Sequence, residues 1–185
     1  MQPSPSGTRT VPGGMFTNPV VRFLSIAGGF YLAWYLVYSF VLHPAGALDA
    51  FLIDSLVRIS GWILEATGNE LIPEPYDPGG IRTIGVQGGH LLWIGDECNG
   101  AGLFAVFLAF IVGYPGPWRH KLWFAALGII TIHLINALRI ATLCLIVRID
   151  YELLNFNHDY TFYVVVYGWV FLLWYIWVKR FAPRT

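Results

Sequence analysis

Charge is scarce in this chain. Only 12% of its 185 residues are charged, while 56% are hydrophobic. A soluble domain of this size would carry about twice that charge, so the composition indicates one small integral membrane domain. The formal net charge is zero, so no basic field invites nucleic acid, and no such partner is expected. Cysteine is almost absent. Cys98 and Cys144 are too few for a disulfide framework and lack metal-ligand spacing, so no metal or other cofactor is expected. Internal repeats are missing. Acidic residues are missing from 1–48, 99–149 and 160–185, and that absence turns out to be organised.

What is present is apolar and aromatic. Eight Trp and ten Tyr suit the interfacial belts of a membrane protein. Residues 1–19, rich in Pro, Gly, Ser and Thr, read as a disordered cytoplasmic tail. A single membrane domain is expected over 20–180, with spans at about 20–42, 98–114, 122–147 and 159–178, each long enough for a hydrocarbon layer of about 30 Å. The first apolar run is too long for a signal-peptide core.

Between the first two spans, residues 43–97 form an expected extracytoplasmic region. Residues 45–67 are apolar but carry Asp49, Asp54, Arg58 and Glu65. Burying four charges in lipid would cost about 10 kcal/mol on the mild insertion scale. The first three fall within a limited arc, with Glu65 near the same face, so an amphipathic helix on the outer surface is expected. Pro73, Pro75 and Pro78 exclude helix from the next stretch. IRTIGV (81–86) and HLLWI (90–94), separated by Gln87-Gly88-Gly89, predict a short β-hairpin resting above the bilayer or on protein. The fold class is therefore an all-α polytopic membrane protein: a four-helix transmembrane bundle with an amphipathic helix and a short β-hairpin.

Basic residues orient it. Arg9 and Arg22, Arg119 and Lys121, and Lys179, Arg180 and Arg184 flank spans without acidic neighbours. By the positive-inside rule both termini are cytoplasmic, and all eleven acidic residues fall on the opposite side. Cell-membrane localisation follows.

Helix rise then compares depths. Cys98 lies about 24 Å above Tyr114, Arg139 about 27 Å above Lys121, and His158 about 31 Å above Lys179. A thiol, a guanidinium and an imidazole thus share the outer hydrocarbon boundary on three helices. Cys98 starts a helix within DECNGAG, where a helix dipole favours the thiolate. Gly100 and Gly102 leave room for a substrate backbone, while Asp96 and Glu97 cap the helix or steer a partner. The bland alternative for any membrane cysteine is a small apolar filler, and Cys144 in ATLCLIV fits it. Arg139 is an intramembrane cation that normally faces a bundle interior, and Asn136 shares its face. Its bland alternative is snorkelling. His158 can titrate near neutrality as a general acid and base, whereas His133 lies about 9 Å deeper than Arg139. His43, His90 and His120 read as loop or interface residues.

CNG at 98–100, NALR at 136–139 and His158 before the last span resemble the exosortase/archaeosortase family, in a compact four-span variant. The resemblance implies a membrane cysteine transpeptidase or protease. Cys98 would be its nucleophile, Arg139 its transition-state stabiliser and His158 its acid/base, with Asn136, Asn99 and Gly100 supporting. Implied partners are a membrane-anchored protein with a C-terminal sorting signal, an amine or lipid acceptor, and membrane lipids. The competing readings are a non-enzymatic membrane scaffold or assembly protein, and, with less support, a transporter or channel. A Cys98–Cys144 disulfide is a further alternative.

Overall fold

The computed structural model describes residues 18–73, 82–150 and 162–181. Residues 1–17 of the N-terminal tail, most of the Pro-rich loop and His158 lie outside the described residues. Helix α1 spans Pro19–Val37. Its start is set by Asn18, whose side chain accepts from Val20 N at 2.9 Å, and by Pro19 in the first turn, both favoured there. It runs on through a π-helical segment, Tyr38–Leu42, and a short helix α2, His43–Ala45, and stops at Gly46 (φ 70°). Helix α3 follows as Ala47–Ala66. Strands β1 (Thr83–Ile84) and β2 (Leu92–Trp93) pair antiparallel. After a 3-10 turn, Asp96–Cys98, come α4 (Ala101–Gly113), α5 (Trp118–Ile149) and α6 (Phe162–Phe181).

Among the described residues, four helical stretches are long and apolar enough to cross a membrane: Pro19–Ala45, Asp96–Gly113, Trp118–Ile149 and Val164–Phe181. The protein is an all-α polytopic membrane protein with one small hairpin, as the sequence predicts.

Helix α5 has 32 residues, about 48 Å of rise, well beyond a hydrocarbon core of about 30 Å. Helix α3 packs lengthwise on its far end. Ser55 Oγ meets His133 Nε2 at 2.8 Å, and Ser60 Oγ donates to the Ala137 carbonyl at 2.9 Å, so both helices advance in the same direction. The amphipathic face of α3 is real, and its apolar side (Ile53, Leu56, Val57, Leu64) is buried against protein. One charge departs from the expected arc. Asp54 and Arg58 pair with each other at 2.9 Å on the exposed side, but Asp49 is only 1% exposed. Five residues of α-helix turn about 140° beyond a full circle, which carries Asp49 away from Asp54.

The hairpin forms in the expected place. Thr83 pairs with Trp93 and Ile84 with Leu92, and residues 70–72 add a third extended segment through a Leu71–Val86 bridge. Ile84, Val86, Leu92 and Ile94 join α3 and the last turns of α5 in an aliphatic core. A second core lies between α4, α5 and α6, built around Phe104, Phe107, Phe124, Val170 and Trp177. Helix α1 buries none of its residues. It approaches α4 closely at Gly113, where an added Cβ would stand 3.1 Å from that of Ala27; small residues permit such approaches in membranes. At this end Lys121 Nζ donates to the Val112 carbonyl at 2.7 Å, satisfying the C-terminus of α4.

Candidate active site

Cys98 closes the 3-10 turn, two residues ahead of the α4 N-cap, Gly100. The thiol therefore sits on a turn before the helix and not in its first turn, as DECNGAG suggested. Gly100 is the reason: its φ of 81° breaks the helical path, and a Cβ there would also meet Asn136 Nδ2 at 3.3 Å. The site needs glycine for both conformation and space.

Three hydrogen-bonded anchors hold this turn. From α5, Asn136 Nδ2 donates to the Cys98 carbonyl at 2.7 Å. From the hairpin, Arg82 Nη1 pairs with Asp96 at 2.6 Å. From the α1–α3 side, Asn99 Nδ2 donates to Asp49 Oδ1 at 2.6 Å, while Asn99 Oδ1 accepts from Ala101 N at 2.7 Å. Asp96 thus ties the turn to the hairpin, while Glu97 lines the cavity beside the thiol.

Cys98 and Arg139 line one cavity of about 270 Å³, together with Glu97, Gly100, Asn136 and Tyr167. Arg139 Nη1 lies 3.5 Å from Asn136 Oδ1, so Asn136 links the guanidinium to the Cys98 backbone. Cys98 is half-buried and Cys144 buried, and both are free thiols; the disulfide alternative does not hold. Cys144 packs in the aliphatic core. His133 is occupied by Ser55, and His90 and His120 are exposed. His158 lies outside the described residues.

An apolar groove between α1, α4 and α6 adjoins the cavity. Tyr31 and Val106 belong to both, and Phe23, Ala27, Ala109, Phe110 and Trp174 complete the groove. Tyr31 and Val106 therefore place the polar pocket and the apolar groove side by side.

The sequence reading missed Tyr38, His43 and Asp49. His43 Nδ1 lies 2.7 Å from Asp49 Oδ2, and Tyr38 OH donates to Asp49 Oδ1 at 2.7 Å. The only available signal was an acidic residue out of phase with Asp54 and Arg58. His43, Asp49 and Asp96 place ligand-type atoms within 4.8 Å of one another. Asp49 is held by Tyr38, His43 and Asn99, and Asp96 by Arg82.

A family model described as transmembrane exosortase matches residues 15–178, most of the chain. No curated protein and no solved structure matches it.

Proposed function

The chain belongs to the transmembrane exosortase family, and from that premise we propose that it is a membrane cysteine transpeptidase or protease acting on C-terminal sorting signals of secreted proteins. Cys98 is the nucleophile. Its thiolate attacks the scissile carbonyl, Arg139 stabilises the oxyanion, and His158 protonates the departing amine as the C–N bond breaks. The thioester left on Cys98 passes to an amine-bearing or lipid acceptor, or to water, and the thiol is regenerated.

The observation that carries this reading is the shared cavity: Cys98 and Arg139 line the same space, with Asn136 joining them. A scaffold has no use for a solvent-reachable thiol beside a guanidinium. The apolar groove that shares Tyr31 and Val106 with the cavity supports lateral entry of an apolar substrate segment from lipid. By the same reading both termini are cytoplasmic and the site extracytoplasmic.

The test uses the full chain with a substrate carrying a motif, a membrane helix and a basic tail. Cys98→Ala should abolish processing while the protein still inserts, and an impermeant alkylator should modify Cys98 from the extracytoplasmic side. Undiminished processing by Cys98→Ala would leave the scaffold reading standing.

A further inference from the structure

Asp49 is the most deeply buried charged residue among the described residues, and the chemistry above does not use it. Burying a carboxylate is costly unless its oxygens are satisfied. Here Oδ1 accepts from Tyr38 OH at 2.7 Å and from Asn99 Nδ2 at 2.6 Å, and Oδ2 meets His43 Nδ1 at 2.7 Å. Asn99 Nδ2 also lies 2.8 Å from Tyr38 OH. Each carboxylate oxygen therefore has a partner, and the group reaches the residue next to Cys98.

The backbone is shaped to make this possible. In an α-helix, residues five apart point about 140° away from each other. Between Tyr38 and His43 the chain is instead π-helical, with His43 N donating to the Tyr38 carbonyl. An i→i+5 turn brings the two residues to one face. Their rings stack at 5.6 Å, and both reach Asp49. Isolated π-turns are uncommon and concentrate at functional sites.

We propose that Asp49 is a positioning residue for Cys98. Through Asn99 it fixes the 3-10 turn from the α1–α3 side, so that the thiol stays in the cavity with Arg139. This rests on the assignment of Cys98 as nucleophile. Asp49 works as a hydrogen-bond acceptor: its negative charge is incidental to holding Asn99.

The experiment uses the full chain in a Cys144→Ala background, leaving one thiol to label. Asp49→Ala and Asn99→Ala should each lower kcat about 100-fold, as expected for a reacting group displaced by about 1 Å, with KM nearly unchanged. The double variant should be no worse than either single one, because both cut the same link. Asp49→Asn should recover most of the lost rate, since its amide oxygen still accepts from Asn99 and Tyr38. The alkylation rate of Cys98 should change in Asp49→Ala and Asn99→Ala and return in Asp49→Asn. Multiplicative losses in the double variant, an unchanged kcat per folded molecule, or failure of Asp49→Asn to rescue would each overturn the proposal. If Asp49→Ala does not fold, Asn99→Asp takes its place: it keeps the acceptor for Ala101 N but has no amide to donate to Asp49, so it should be as slow as Asn99→Ala, and a wild-type rate would overturn the proposal. If Cys98→Ala remains active, the nucleophile assignment fails, whereas Cys98 alkylation still reports on the turn.

Discussion

The aliphatic core at the hairpin end and the aromatic core between α4, α5 and α6 are built from different residues. Among the described residues, the first contains Ile, Leu, Val, Ala and one buried Cys, drawn from 53–64, 84–94 and 137–147, with no buried aromatic residue. The second has Phe104, Phe107, Phe124 and Trp177 among its eight buried members. Helix α5 is longer than a bilayer is thick, and wherever its hairpin end stands in water its partners gain the hydrophobic free energy of burying apolar surface. Between membrane-embedded helices that drive is missing, because lipid tails are as apolar as leucine, and association depends on close packing. The stacking of Phe110 on Trp174 at 4.6 Å and the seating of the Phe107 ring over Gly128 are such contacts. The candidate site lies where the two meet: Cys98 packs partly on the first core, while Phe104, one turn beyond the α4 N-cap, belongs to the second.

If the hairpin-end core is driven by water, Leu56→Ala, at a fully buried position, should cost about 2–5 kcal/mol. Hydrogen exchange should then rise in α3 and the hairpin and stay unchanged in α6. Equal loosening of α6 would mean that the two cores are one cooperative unit. In the aromatic core, Gly128→Ala puts a methyl group into the Phe107 ring, and overpacking should cost about 1–3 kcal/mol. Phe107→Leu in the same chain should restore part of that loss, as thermal unfolding in detergent would reveal. Ser60→Ala removes a buried hydrogen bond to the Ala137 carbonyl and should cost about 1 kcal/mol, loosening α3 without touching the aromatic contacts. Smallest in stability is Arg82→Gln. The partly exposed pair with Asp96 contributes under about 1 kcal/mol, yet its loss should change the alkylation rate of Cys98, because the turn loses its hairpin anchor.

Much of this was legible beforehand because membranes impose simple rules. Apolar run length announced the four spans, and Gln87-Gly88-Gly89 between β-prone runs announced the hairpin. Asn136 was expected beside Arg139 from the three-residue spacing, and the two lie within 3.5 Å. What Asn136 also does, donating to the Cys98 carbonyl on another helix, has no local signature. Asp49 shares a charged stretch with Asp54 and Arg58, but its phase on the helix sets it on another face. Tyr38 and His43 were invisible as a pair, since five-residue spacing means opposite faces in any α-helix.

The sequence alone determined the number of spans, the segregation of acidic residues and the shared depth of Cys98 and Arg139, because hydropathy, charge placement and helix rise are one-dimensional quantities. Only the tertiary structure decided that Cys98 and Arg139 open into one cavity, that α3 turns Asp49 inward, and that a π-turn brings Tyr38 and His43 onto it. Lateral contact depends on helix rotation and on a single extra residue in a turn, and neither leaves a periodic trace in composition.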